Sequence, residues 1–345
     1  MISCFTLEDA HKWDQAVRSF SEYDVYYLSG YVKGFQIHGD GEPLLIFYQS
    51  GAVRAINVVM KRAIGDDPRF AGRIEEELYD FVSPYGYGGW LVEGGEDLGP
   101  LMEEYDRWCR KNHIVSEFVR FHPLLKNHER AQGHYEVIPL GSTVAMDLTS
   151  PEVIWENLTS KNRNMVRKAQ KNGLRVYRAS GPEIYRVFRE IYDLTMDKDN
   201  ASSYYYFQEG YYDSVRNDLA NNGQVFYAQT EDGTIAAAAI MLGAGGRLNY
   251  HLSGSRQALQ NLAPTNLLLY EAAVWGSENG YRTLHLGGGV GSREDSLFSF
   301  KKAFYRGDTN RFYIGKRIVD PERYQMLMDL RDKPATSGFF PAYRE

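Results

Sequence analysis

One order of elements occurs twice along this chain, and that repetition constrains the fold more than any other feature. Residues 34–38, 44–48 and 52–61 read as strands separated by the turn signals Asp40-Gly41 and Ser50-Gly51. Residues 98–111 then carry Leu98, Leu101, Met102, Tyr105 and Trp108 at helical spacing, and 114–121 read as a further strand. The second half repeats the order. Strands are expected at 225–230, 234–242 and 247–252, with turns at Asp232-Gly233 and at residues 243–246. Pro264 can open the next helix, 267–278 propagate it, Gly280 can end it, and 281–286 form the following strand. A chain of 345 residues is long enough for two such domains. They should meet near residues 139–150, where Pro139, Gly141 and Ser150-Pro151 punctuate the sequence.

Charge and composition exclude several classes. The net charge of −6 argues against a protein that coats DNA or RNA non-specifically, so any RNA contact must be local. No run approaches the roughly 18 apolar residues of a membrane span, and the opening MISCFTLEDAHKWDQ has no basic region followed by an apolar stretch. A soluble, cytoplasmic protein is expected, one that can also work at the inner face of the membrane. Cys4 and Cys109 lie far apart, which suits reduced thiols, and Cys109 falls in a helical pattern that suits packing. There is no Cys-x-x-Cys or His-x-Glu zinc pattern and no Gly-x-Ser-x-Gly nucleophile turn, so neither metal nor resident cofactor is implied. His251 and His285 fall on expected strands and read as core or supporting residues.

Three segments can carry chemistry. The first begins at Ser160, a plausible helix cap, and runs through KNRNMVRKAQKN to Gly173, a plausible stop, with no acid between Asn157 and Pro182. Helical spacing puts Leu158, Met165, Val166 and Ala169 on one arc and Lys161, Arg163, Arg167, Lys168 and Lys171 on the other. The basic face is either solvated or the seat of a polyanion such as a nucleotide diphosphate or RNA backbone. The second segment is LHLGGGVGSREDSLFSFKKAFYRG, residues 284–307, in which Gly287, Gly288 and Gly289 follow a strand. Leu297, Phe300 and Phe304 mark the apolar side of a short helix, and Lys301 and Lys302 lie where at least one must face outward. The glycines serve either a tight turn or the approach of an anion to backbone N–H groups. The third is aromatic. Tyr204, Tyr205, Tyr206, Tyr211 and Tyr212 cluster, and SPYGYGGW at 83–90 holds Tyr85 and Tyr87; such rings pack, or they bond and stack on a ligand.

SKNRNMVRKAQKNGL, NYHLSGS with the later APTNLLLYEAAVWGSENGY, and the 284–307 segment together resemble the second domain of the FemABX family, and SPYGYGGW resembles a loop of its first domain. The resemblance spans roughly residues 30–317 and implies an α+β fold of two tandem acetyltransferase-like (GNAT) domains with splayed, mostly antiparallel sheets. It places 1–141 plus 318–345 in the first domain and 142–317 in the second, in a short form without a coiled-coil arm. The implied reaction joins the aminoacyl group of a charged tRNA to an amine of a peptidoglycan precursor peptide, nucleotide- or lipid-linked. By this resemblance Lys301, Lys302 and Phe304 face the tRNA acceptor end, beside a basic helix carrying Arg163, Arg167 and Lys171. Tyr206 and Tyr250 line the precursor cleft, with Tyr85 and Tyr87 in the first-domain loop and Lys33 on precursor phosphate. The loop continues GGWLVEG where the family often has a proline and an acid, which puts precursor recognition in doubt. Asp197, Asp199 and Glu271 are candidate bases by charge alone, so no catalytic base is named. An acyl-CoA-dependent N-acyltransferase acting on an amino sugar or surface glycan is the alternative. Against it, the stretch SRQALQNLAPTN lacks the glycines that would let backbone approach a pyrophosphate. A non-catalytic binding module is the third reading.

Overall fold

The computed structural model describes residues 1–95, 97–332 and 334–345. The chain divides into two compact units, one made of residues 1–140 with 312–345, the other of 141–311. The first opens with β1 (Ile2–Phe5), α1 (Ala10–Arg18) and α2 (Ser29–His38). Residues 34–38 are therefore helical, and the expected strand is absent. Tyr31, Val32 and Phe35 share one buried helical face while Ile37 is exposed, and Gly39 ends the helix at φ 102°. The short stretch from Gly34 showed too little of that face to reveal its period.

β2 (Glu42–Ser50) and β3 (Val53–Ala63) form the hairpin, followed by β4 (Tyr79–Val82), β5 (Leu91–Glu93), α3 (Gly99–Lys111), β6 (Ile114–Arg120) and α4 (His128–Ala131). β1, β2, β3 and β4 pair antiparallel in sequence, β5 pairs with β3, and β4 runs parallel to β6. Ile46, Val59, Phe81, Tyr105, Cys109 and Phe121 close the core, so Cys109 is packing and no disulfide forms.

The unit boundary at 140/141 falls inside β7 (Glu136–Asp147), and α5 (Pro151–Asn157), α6 (Ser160–Lys171) and β8 (Arg175–Ala179) follow. Then come α7 (Pro182–Lys198), α8 (Glu209–Asp218), β9 (Gly223–Gln229), β10 (Ile235–Ala244), β11 (Arg247–Ser255), α9 (Pro264–Glu278), β12 (Thr283–Gly287) and α10 (Ser296–Lys302). In this second unit β8, β9, β10 and β11 pair antiparallel, β11 runs parallel to β12, and β12 is antiparallel to β7. α9 buries Leu267, Leu268, Leu269, Ala272 and Ala273, residues on several faces, as a helix enclosed by sheet and by α5 and α6 must.

β13 (Asn310–Ile318) pairs antiparallel with β6, and α11 (Pro321–Asp329) packs in the first unit. The end of the chain is tied down there by charge. Asp80 is fully buried and receives Arg62 Nε at 2.7 Å, the Tyr343 hydroxyl at 3.0 Å, and Arg344 Nε. A buried carboxylate is tolerable only while its partners hold. Arg344→Ala is expected to destabilise the first unit by about 3 kcal/mol, read as faster hydrogen exchange in β4 and β6 and a lower urea midpoint. No measurable loss would mean that Arg62 and Tyr343 satisfy Asp80 unaided.

Candidate functional site

The second unit has a sheet that opens. β11 and β12 are paired only at Arg247↔Thr283, Leu248↔Leu284 and Asn249↔His285. Beyond that point β12 continues to Gly287 on β7 alone, and residues 250–255 of β11 continue on β10 alone. The two strands thus bound a wedge, with one edge of β11 facing into it. β11 is bent at the same place. Its register on β10 steps from Leu252↔Ile240 to Tyr250↔Met241, which leaves His251 as the extra residue of a β-bulge. Bulges re-aim a side chain and often sit beside active sites.

His251 Nε2 lies 2.6 Å from the Tyr211 hydroxyl, and enclosure pushes its pKa down to about 3, so the ring is neutral at physiological pH. Tyr250 is half-buried against the core, where burial pushes its phenol up to about 12. Neither side chain is an acid or base near neutrality.

The other side of the wedge is the glycine turn after β12. A side chain at Gly288 would meet the Ser142 carbonyl oxygen at 2.8 Å, and one at Gly289 would meet that of Arg293 at 2.1 Å. These glycines are required by close main-chain packing, so their structural role is explained without a ligand. Asp295 caps α10 by accepting from Phe298 N at 2.8 Å and also receives Val290 N at 3.0 Å. α10 therefore starts in a fixed position and presents Lys301 to the turn. Lys301 is buried, and its Nζ donates to the Gly288 carbonyl at 2.7 Å. Burial lowers its pKa to about 8, with only Asp295 opposing the shift.

Several expected site residues are differently placed. Lys302, half-buried, donates to the carbonyls of Tyr305 and Gly307, so neither lysine projects freely from α10. Phe304 is fully buried and packs edge-on against Phe300, which places it in the core and away from a docking surface. Phe298, not Leu297, faces inward, on the same face as Lys301 three residues later in this short helix. The cap of α6 is Thr159, whose hydroxyl accepts from Asn162 N at 3.2 Å, and not Ser160. Arg163 leaves the basic face to donate to the Leu158 carbonyl at 2.7 Å at the end of α5, where a helix has unpaired acceptors. Lys161, Arg167, Lys168 and Lys171 stay exposed, Arg167 over the Trp155 ring at 5.1 Å.

Tyr206 is half-exposed and donates to Asp197 at 2.8 Å, whereas Tyr211 and Tyr212 are buried. Glu271 is half-buried on α9, where burial first and Glu278 second raise its pKa. Asp199 caps the end of α7.

In the first unit Lys33 is exposed on α2. Tyr85 stacks on Phe35 at 5.2 Å, and Tyr87 meets Tyr26 and His122 at 5.4 Å each. His122 Nε2 pairs with Asp24 at 2.9 Å, both fully buried, and its Nδ1 accepts from Leu124 N and Leu125 N. With both ring nitrogens engaged, this dyad holds the aromatic loop in shape. Sequence reading missed it because Asp24 and His122 lie 98 residues apart. It missed the bulge at His251 because nothing in alternation marks an extra residue.

The acetyltransferase (GNAT) domain family matches residues 160–301. No curated protein sequence matches the chain. Among solved structures, FemX is similar over 94% of this chain and 99% of its own, at 14% identity and a TM-score of 0.68. L-PGS from Bacillus licheniformis is similar over 94% and 96%, at 17% identity and 0.55. A tandem GNAT protein from the clavulanic acid biosynthesis pathway is similar over 93% and 99%, at 10% identity and 0.50. The chain has a FemABX-like acetyltransferase fold. No helix among the described residues is long and apolar enough to cross a membrane.

Lys301 makes a pH-dependent contribution with a defined sign. Its folded pKa of about 8 lies below the unfolded value near 10.4. Below pH 8 both states are protonated and burial of the charge costs most; from there the folded state sheds its proton first, and stability rises until the unfolded lysine also titrates. Lys301→Met should be more stable than wild type near pH 7, with an advantage that shrinks by on the order of 2 kcal/mol by about pH 10. Urea unfolding of both proteins across this range checks it; a constant difference would place the lysine in water.

Proposed function

We propose that the second unit transfers an aminoacyl group from a charged tRNA to an amine of a cell-wall precursor peptide, forming an amide. The observation that carries this reading is Lys301, a buried cation held on a main-chain carbonyl at one wall of the β11/β12 wedge. An ester carbonyl entering the wedge can pair with the open edge of β11. As the neutral amine attacks, the carbon–nitrogen bond forms and negative charge develops on the carbonyl oxygen; the ester carbon–oxygen bond then breaks, and the proton lost by the amine nitrogen ends on the departing ribose oxygen, which leaves as the hydroxyl. A preplaced ammonium in a dry setting stabilises that charge with little reorganisation. The fold likeness to FemX along nearly the whole chain supports the class of reaction. The exposed cations of α6 offer a local seat for RNA phosphate despite the negative net charge.

The alternative donor is acyl-CoA. Before α9 the chain makes a 3-10 turn, Gln257–Leu262, and Ala263 adopts φ 60°. Ala263 N is spent on the Gln260 carbonyl, and Pro264 has no N–H. Two backbone donors at the start of α9 are thus lost to a pyrophosphate arriving there, which weighs toward tRNA.

Purified protein given charged tRNA and a lysine-containing precursor should form the amide, and ribonuclease should abolish it. Turnover of an acyl-CoA without RNA would replace this reading with the alternative, and donor binding without product would indicate a binding module. Lys301→Met should lower kcat by about 10²–10³-fold with KM for the acceptor little changed. An unchanged kcat would remove Lys301 from the reaction.

A further inference from the structure

The bulge in β11 decides which backbone groups face the wedge. Just past the strand, Arg256 N donates to the Ala236 carbonyl of β10 at 2.9 Å, and one residue earlier Ser255 N points the other way, to the Thr195 hydroxyl of α7 at 3.1 Å. Alternation then turns Gly254 and Leu252 toward β10 and Ser253 toward the wedge. At the other end of β11 the Gly246 carbonyl accepts from Arg282 N at 2.7 Å, on the β12 side, so Leu248 and Tyr250 turn to that side as well. The two alternations are out of step by one residue, and His251, the extra residue of the bulge, takes up the difference. The backbone groups of Tyr250 and Ser253 are therefore the ones presented to the wedge, where an unbroken strand would present Tyr250 and Leu252. Side chains change face at the same point. Tyr250 packs on the core that holds α9, whereas a side chain at Gly254 would meet the Ile191 carbonyl oxygen of α7 at 2.7 Å, although residues four apart in an unbroken strand share a face.

The extra residue of a bulge is left unpaired by the neighbouring strand, so the ladder does not fix it. Here a side chain does. The neutral His251 ring places Nε2 2.6 Å from the Tyr211 hydroxyl of α8. Tyr211 is fully buried, and its ring is held by Phe207 stacked at 4.3 Å and by Tyr212 edge-on at 5.4 Å. Phe207 in turn lies 6.3 Å from the Tyr192 ring of α7. Residues 251–255 are thus tied to the helical layer at both ends, through Tyr211 at His251 and through Thr195 at Ser255, with Ser253 between the ties. The neighbouring tyrosine makes the contrast. Tyr212 is also buried on α8, yet among the described residues its hydroxyl has no hydrogen-bond partner.

We propose that Tyr211 acts through His251 as a positioning residue: it locks the bulge in β11 and so sets where the backbone groups of Tyr250 and Ser253 stand when an acyl donor enters the wedge. The lock follows from contacts within this unit, and only the word donor rests on the transfer reading above. Without the lock the extra residue is free to shift along β11, and each one-residue shift exchanges the backbone groups presented to the wedge.

The test compares two variants of the full chain, Tyr211→Phe, which deletes one hydroxyl and keeps the stack, and Tyr212→Phe, which deletes the unbonded hydroxyl beside it. Amide NMR signals and hydrogen exchange of residues 250–253 report the bulge, and transfer from whichever of charged tRNA or acyl-CoA the wild type uses reports positioning. Tyr211→Phe should shift the amides of residues 250–253 and speed their exchange. It should also lower kcat by about 10–10²-fold, the scale of a small misplacement of reacting groups, with KM for the acceptor unchanged. Tyr212→Phe should match wild type in both measurements. His251→Leu should reproduce Tyr211→Phe, and the double variant should be no worse than either alone, because the two side chains act as one unit. His251→Gln, which keeps a hydrogen-bonding group at a similar reach, should recover part of the rate. Unmoved 250–253 amides in Tyr211→Phe, losses that add in the double variant, or an equal loss in Tyr212→Phe would overturn the proposal, as would shifted amides with an unchanged kcat. If the wild type transfers from neither donor, the transfer reading alone fails, and the amide measurements still decide whether Tyr211 locks the bulge.

Discussion

A strand that loses its neighbour half-way along must find other partners for one row of backbone groups. In the second unit β11 does this after Asn249, and what surrounds it follows from that loss. Water can satisfy such groups in an open groove, but an extended ligand does so with less cost once it is held. The opening is built into both walls. On one side α7 lies against Gly254 without any intervening side chain, and the bulge at His251 turns β11 away. On the other, β12 stays on β7 and passes into a turn whose glycines allow main chain to pack on main chain. The first unit has the corresponding parallel pair, β4 with β6, but there every residue of β4 is paired, and the bridge Gly88↔Phe121 lies beyond it. The first unit shows no such opening among the described residues. The repeated order of elements has thus produced one sheet that opens and one that stays shut.

Charge is divided differently between the units as well. In the first, buried charge is structural: Asp80 is surrounded by two arginines and a tyrosine, and Glu117, raised in pKa chiefly by burial, is bonded by Asn57, Tyr105 and Tyr135. These groups have enough donors to be spent on one another. In the second unit the charged groups are more sparsely partnered, with Lys301 on a carbonyl, Asp197 on a single hydroxyl, and Asp193 paired with Arg189 at 3.7 Å. Folding alone would favour pairing them, so their separation is the better sign of a site than any one residue type.

Much of the architecture was legible because periodicity is local. α9 opens at Pro264 and ends before Gly280, and β9, β10 and β11 fall where alternation and glycine turns indicated. Residues 34–38 misled because five residues cannot distinguish the two periods when the buried face, Tyr31 to Phe35, begins upstream. At the site, the glycine turn and the lysines stood out, yet their environment did not. That Lys301 is buried depends on Asp295 fixing the start of α10, and that Phe304 points into the core depends on the register of a single short helix. Arg163 looked like part of a polyanion seat, but the unpaired carbonyls at the end of α5 claim it, a demand visible only once α5 and α6 are known to abut. His251 is the extreme case: its position in a bulge is set by the register of two strands, which no single strand's sequence encodes.

The choice of partner for Lys301 decides what that residue can do. A carboxylate in place of the Gly288 carbonyl would neutralise the ammonium and hold its charge permanently, with a pKa at or above the ordinary lysine value. A carbonyl oxygen positions the nitrogen by geometry but leaves most of its charge uncompensated, so burial lowers the pKa to about 8. In the transfer proposed above, that uncompensated charge is what a developing oxyanion would meet. The cost is a buried cation that weakens the fold at neutral pH, and the well-packed core of Val144, Met146, Leu284, Phe298 and Phe304 around it supplies the stability to offset that cost.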